Sequence, residues 1–145
     1  RIGISLDSNS SHLAWVYNIY QNTGIHIPFP IVADKDMSIA KMYGMIAPDV
    51  STNTTVRNVF IIDDRQIIRA ILIYPLSNGR YIPEIIRLLT ALQTTDQYKV
   101  ATPADWFPGD PVVVPAPQTY EELLKRVSGE EGYCCVDWYL CYKNI

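Results

Sequence analysis

Cysteine is scarce in this 145-residue sequence: there are three, all beyond position 133. So few, so crowded, cannot staple a disulfide scaffold. Long apolar runs are also missing, and none approaches the roughly 18 residues of a membrane helix. The opening Arg1-Ile2-Gly3-Ile4-Ser5-Leu6 is followed by no extended apolar core and no small-residue cleavage site. It is therefore not expected to act as a signal peptide. Positive charge is in deficit, with a net charge of −3 and a pI near 5.2. That argues against binding a phosphate backbone, which needs clustered cations. There is no internal repeat and no low-complexity tract. What is present is 48% hydrophobic and 19% charged, the balance of a folded chain rather than a disordered one. A soluble, cytoplasmic protein of one domain with a short extension is the expectation, with no nucleic-acid or membrane partner.

Charge and proline are unevenly spread. Residues 1–100 carry nine basic and eight acidic side chains, whereas residues 101–145 carry three and seven. Half of the ten prolines fall between Pro103 and Pro117. A boundary near residue 100 follows. Residues 1–99 form a compact, periodic region, and residues 100–145 a Pro-rich arm, a short helix and an aromatic, Cys-rich tail.

Ile2 to Leu6 reads as a buried strand, and Asp7-Ser8 as the start of a helix. Leu13, Val16, Tyr17 and Tyr20 then mark one helical face, which Gly24 ends. Pro28 and Pro30 hold Ile25–Pro30 extended. Ile31–Ala33 is a short strand, and Asp34 caps a helix to about Met42, ended by Gly44. Val56–Ile62 and Ile67–Ile73 are β-rich runs joined by Asp63-Asp64-Arg65-Gln66, which predicts an antiparallel hairpin. Their near-continuous apolarity predicts that both faces are covered. Pro83 sits in the first turn of a further helix, with Ile82, Ile85, Ile86, Leu89 and Leu92 on its expected apolar face. The order β-α-β-α-β-β-α predicts an α/β fold, a mixed sheet with flanking helices. Thr119 and Glu122 fit a capping box for a helix over Tyr120–Val127, stopped by Ser128-Gly129. The aromatic segment Tyr133–Tyr142 has no evident partner within the chain. A buried strand at residue 2 needs neighbours that the later strands supply only in part, so the chain is expected to begin in the middle of a domain.

Several stretches together resemble one family. These are "ISLD" with "SNSSHLAWV" (Ser8–Val16), "IPFPIVAD" (Ile27–Asp34), "AKMYGMI" (Ala40–Ile46) and "VRNVFIIDD" (Val56–Asp64). "IRAILIYPLSNGRYIPEIIRLLTALQ" (Ile68–Gln93) and "VATPADWFPGDPVVVP" (Val100–Pro115) continue the match. The set resembles the peroxiredoxins, and the last stretch resembles the C-terminal extension of the one-cysteine subfamily. "CVDWYLC" (Cys135–Cys141) resembles the Cys-x5-Cys tail of archaeal and thermophilic members. The resemblance covers essentially the whole chain. It implies an incomplete thioredoxin-like domain over residues 1–99 and a dimerisation arm over residues 100–145. The family's P-x-x-x-T-x-x-C motif, which carries the peroxidatic cysteine, is absent from these residues, so the chain resembles a C-terminal portion.

The implied activity is thiol-dependent reduction of hydrogen peroxide and alkyl hydroperoxides, without metal or organic cofactor. A thioredoxin-like dithiol would be the reductant, and homodimers or decameric rings of dimers the assembly. The alternative is a non-catalytic dimerisation module derived from such an enzyme. Arg57, by itself a strand-end arginine, falls at the family's active-site arginine. A guanidinium there lowers a thiol's pKa and donates to peroxide oxygens. Arg80 matches a second arginine common near that site. Cys135 and Cys141 are too close for a two-sided metal site, and His12 and His26 are distant in sequence. A local disulfide needs the backbone to turn back. The resemblance gives Cys141 the resolving role, across to another subunit, with Cys135 as a second participant. Cys134 lies outside the motif, and buried packing is the plain alternative for all three. Ser11 and His12 are adjacent on a helix and cannot form a hydrolase pair. His26 reads as a loop residue, and Trp106 and Trp138 as packing surfaces.

Overall fold

A computed structural model describes residues 1–46 and 57–145. The chain divides into two compact units, Arg1–Arg80 and Tyr81–Ile145. The compositional boundary near residue 100 lies within the second.

In the first unit, strand β1 (Gly3–Ser5) leads into helix α1 (Asn9–Thr23). Ser8 caps α1, its side chain accepting from the Ser11 backbone N–H, and Gly24 closes it in the left-handed conformation. Both ends are therefore set by residues that suit them. Strand β2 (Ile31–Ala33) pairs parallel with β1, Ile4 opposite Val32. A parallel pair needs a crossover, which α1 supplies. β1 has this one neighbour among the described residues. Helix α2 (Ser38–Met42) is short. Asp34 caps it from outside: its carboxylate accepts from the backbone N–H groups of Ile39 and Ala40 at 3.0 and 2.7 Å, and from Ser38 Oγ at 3.3 Å.

Strands β3 (Arg57–Ile62) and β4 (Ile68–Tyr74) form the antiparallel hairpin, with Phe60 opposite Ile71. The expected first residue of β3, Val56, lies outside the described residues. Asp63 organises the turn. Its Oδ1 accepts from the backbone N–H groups of Arg65 and Ile67, and its Oδ2 receives the Arg65 and Arg69 guanidinium groups. The expectation that both faces of this ribbon are covered is not met, since Ile68, Ile71 and Ile73 are exposed, the last at 68%. Two strands cannot cover their own apolar faces.

In the second unit, helix α3 (Ile82–Tyr98) has proline in its first turn, as expected. Its buried face differs from the expected one. Ile82, Ile86 and Leu89 are exposed, while Ala91 is buried with Val100, Trp106 and Val112. The Arg87 guanidinium donates to the Trp106 carbonyl and pairs with Glu84, which ties the arm to this other face. Strand β5 (Val112–Val114) follows, then helix α4 (Tyr120–Ser128), capped by Thr119 Oγ and ended by Gly129. The Glu122 carboxylate reaches back to the Gln118 N–H rather than to that of Thr119, a one-residue variant of the capping box. Arg126 of α4 is buried, donates to Glu131 and to the Pro115 carbonyl, and lies over the Tyr133 ring.

The aromatic tail does have a partner within the chain. Strands β6 (Cys134–Asp137) and β7 (Leu140–Lys143) form a hairpin around Trp138-Tyr139, and β7 also pairs with β5. The order is β5-β7-β6, so β7 is central and β6 is an edge. No helix among the described residues is long and apolar enough to cross a membrane.

Candidate functional site

Arg57 is the first residue of β3 and is half-buried. Its Nη1 donates to the Asn78 carbonyl at 3.1 Å. Arg80, exposed, reaches the opposite way, its Nη2 lying 3.5 Å from the Asn58 carbonyl. The two bonds cross between the start of β3 and the segment just after β4, where the Asn78 N–H closes a turn on the Pro75 carbonyl. Each arginine is held by a neutral carbonyl, and among the described residues neither is paired with a carboxylate. Their charges are thus oriented but not neutralised. Such a group can stabilise a thiolate or donate to a peroxide oxygen, because a planar guanidinium keeps donors to spare after one is used.

Cys135 and Cys141 stand directly opposite in the β6–β7 register and form a disulfide, with Cα atoms 4.0 Å apart. The backbone turns back through Trp138-Tyr139, which the local pairing required. Cys141, on the central strand, is fully buried, whereas Cys135, on the edge strand, is exposed. Cys134 is a free, exposed thiol lining a cleft with Trp106, Tyr133 and Lys143.

His12 is buried, and its Nε2 lies 2.6 Å from Ser5 Oγ. Ser11 instead bonds Ser8. Ser5 Oγ donates to Asp7 Oδ2 at 3.1 Å, so its one proton is committed there. His12 is thus engaged by Ser5 and Ser11 by Ser8, and the two adjacent residues form no pair with each other. Sequence spacing missed the contact, because it depends on how the β1–α1 turn folds back over seven residues. His26 stacks on Tyr20. Trp106 is core, its indole N–H donating to the Asp110 carbonyl, while Trp138 packs edge-on against Tyr139. Among the described residues no cluster of three or more His, Cys, Asp or Glu could hold a metal ion.

Residues 1–71 match the AhpC/TSA family, and residues 91–130 match the C-terminal domain of 1-Cys peroxiredoxin. The chain is 54% identical to a peroxiredoxin of Aquifex aeolicus, over 99% of its own length and 68% of that protein's. This chain belongs to the peroxiredoxin family. It is also 63% identical to Peroxiredoxin 2 of Caldanaerobacter subterraneus subsp. tengcongensis, over 99% of its length and 65% of the relative's. It thus spans about two thirds of the curated relatives it matches. Among solved structures, a yeast mitochondrial 1-Cys peroxiredoxin superposes with a TM-score of 0.81 at 31% identity, covering 99% of this chain and 70% of that one. Peroxiredoxin 6 of Arenicola marina gives 0.80 at 33% identity, covering 99% and 69%. The mixed α/β peroxiredoxin architecture expected from the sequence is therefore the one observed.

Proposed function

We propose that this chain supplies the substrate-binding arginine and the resolving thiols of a thiol-dependent peroxidase acting on hydrogen peroxide and alkyl hydroperoxides. The observation that carries this reading is the Arg57 guanidinium, oriented by the Asn78 carbonyl and, among the described residues, left without a carboxylate partner. In this scheme a peroxidatic thiolate attacks a peroxide oxygen. The O–O bond breaks, the sulfur becomes a sulfenic acid, and the departing oxygen takes a proton to leave as alcohol or water. Arg57 keeps the thiol ionised and donates to the oxygens as charge builds on the leaving one. Arg80 supports it from two residues beyond Asn78, through the Asn58 carbonyl.

The nucleophile belongs to a P-x-x-x-T-x-x-C segment that residues 1–145 do not contain, so these residues by themselves are expected not to turn over peroxide. Cys141 thiolate then attacks the sulfenic sulfur, releasing water. Cys135 attacks Cys141 in the resulting disulfide, frees the peroxidatic thiolate and forms the Cys135–Cys141 bond. A dithiol protein of the thioredoxin type restores the tail. Self-association as dimers or rings of dimers, and a cytoplasmic setting, belong to the same reading.

The test uses a polypeptide that includes the peroxidatic motif, assayed with a thioredoxin-coupled system. Arg57→Ala should lower the second-order rate with hydrogen peroxide by about 100-fold, the scale for losing a charge-stabilising donor. An unchanged rate would remove Arg57 from the mechanism. Cys141→Ser should permit a single turnover and then stop. Continued turnover would move resolution to Cys135 or Cys134.

A further inference from the structure

The tail disulfide is open to attack at one sulfur and closed at the other. Directly opposite residues of an antiparallel sheet share a face, so Val114, Cys141 and Cys135 form one row across β5, β7 and β6. Val112 and Val114 on that face are buried, and Val112 belongs to the core with Ala91, Val100 and Trp106. Cys141 sits beside them on the central strand with 0% exposure, while Cys135, one strand out, is exposed. Cys141 Sγ also faces the hairpin's own backbone, 3.5 Å from the Asp137 carbonyl and 3.8 Å from that of Trp138.

We propose that an external dithiol reduces this disulfide in one direction only, attacking Cys135 and displacing Cys141. This deepens the proposed function by naming where the reductant acts. The thiolate of the dithiol attacks Cys135 Sγ, the Cys135–Cys141 bond breaks, and a mixed disulfide forms on Cys135. Cys141 leaves as a thiolate and takes up one proton. The second thiol of the dithiol, losing its proton, attacks its own sulfur in the mixed disulfide. Cys135 is released and protonated, the tail has gained two electrons, and the dithiol has become a disulfide. Access decides the direction, because an attacking sulfur must reach its target: in this oxidised hairpin Cys141 is fully buried and offers an external thiol no approach, whereas Cys135 is exposed.

The test contains no peroxide, so its failure leaves the peroxidase reading standing, and failure of that reading leaves this one standing. The oxidised 145-residue chain, carrying Cys134→Ser to prevent exchange with the neighbouring thiol, is mixed with glutathione. It is quenched in acid, alkylated with N-ethylmaleimide and mapped by mass spectrometry. Glutathione is expected on Cys135 and maleimide on Cys141, by at least 10-fold over the reverse. Val114→Ala, which uncovers the face beside Cys141, should raise the minor adduct. Glutathione on Cys141, or an even split, would overturn the proposal. So would an adduct that forms only in denaturant, since Cys135 would then not be open in the folded chain.

Discussion

Arg57 Nη1 and the Asn78 carbonyl, 21 residues apart in sequence, meet at 3.1 Å. The reciprocal bond from Arg80 to Asn58 crosses it. Each arginine therefore helps to fix the backbone beside the other. If both guanidinium groups serve one peroxide, their losses are not independent. In the peroxidase containing the peroxidatic motif, Arg80→Ala is expected to slow peroxide reduction less than Arg57→Ala. The double variant should lose less than the product of the two factors. Second-order rate constants for all four proteins decide it, and a strictly multiplicative result would mean the arginines act separately.

Asp63 gives the hairpin a pH dependence. Its carboxyl is held below the ordinary value of 3.8, first by the Ile67 N–H and then by the Arg65 side chain and N–H. A carboxyl whose folded pKa is depressed stabilises the fold fully above its unfolded pKa, and that contribution fades as pH falls through the folded value. Asp63→Asn should therefore lower Tm at pH 7, and the gap to the parent should close as pH falls below about 3.8. A gap that is constant with pH would show that the carboxylate charge is not what matters.

Much of this was legible because it is local. Ser8, Gly24, Thr119 and Gly129 set helix ends through their own side chains or their own φ, and all four sit at the expected boundaries. The Asp63–Gln66 turn is likewise written in consecutive residues. The misreadings concern partners that no local signal announces, some of them far away in sequence. Which face of α3 is buried depends on Arg87 reaching Trp106, 19 residues on. The Pro-rich arm conceals β5, and the tail hairpin turns on Trp138-Tyr139, which lacks the Asn-Gly or Asp-Gly signal of a two-residue loop. Without that turn Cys135 and Cys141 are only a spacing. With it they are a cross-strand pair.

Trp106 should be the most costly residue to remove from the second unit. It is 2% exposed, lies among Ala91, Val100 and Val112, and its indole N–H is satisfied by the Asp110 carbonyl. Trp106→Ala is expected to cost about 3–5 kcal/mol, as for other large-to-small core changes. Trp106→Phe keeps most of the packing but leaves the Asp110 carbonyl without its donor, at about 1 kcal/mol. Denaturant melts followed by circular dichroism would separate the two. Equal effects would mean that the indole N–H, rather than the ring, holds the arm.

Asp34 tests whether a side chain outside a helix can hold one of only five residues. α2 is too short to persist on propensity, since a helical turn fixes several residues for each bond it gains. Its N-cap position is Met37, which offers no side-chain bond. The free N–H groups of Ile39 and Ala40 go to Asp34 instead, whose side chain lies in a residue only 2% exposed. Asp34→Ala removes these acceptors and leaves buried donors unpaired, which should cost about 2 kcal/mol. Asp34→Asn keeps one acceptor oxygen and should fall between. Amide exchange is the sharper readout. Loss of protection at Ile39 and Ala40 with β1 and β2 unchanged places the effect in the cap. A uniform loss across the unit would instead make Asp34 a core residue whose bonds to α2 are incidental.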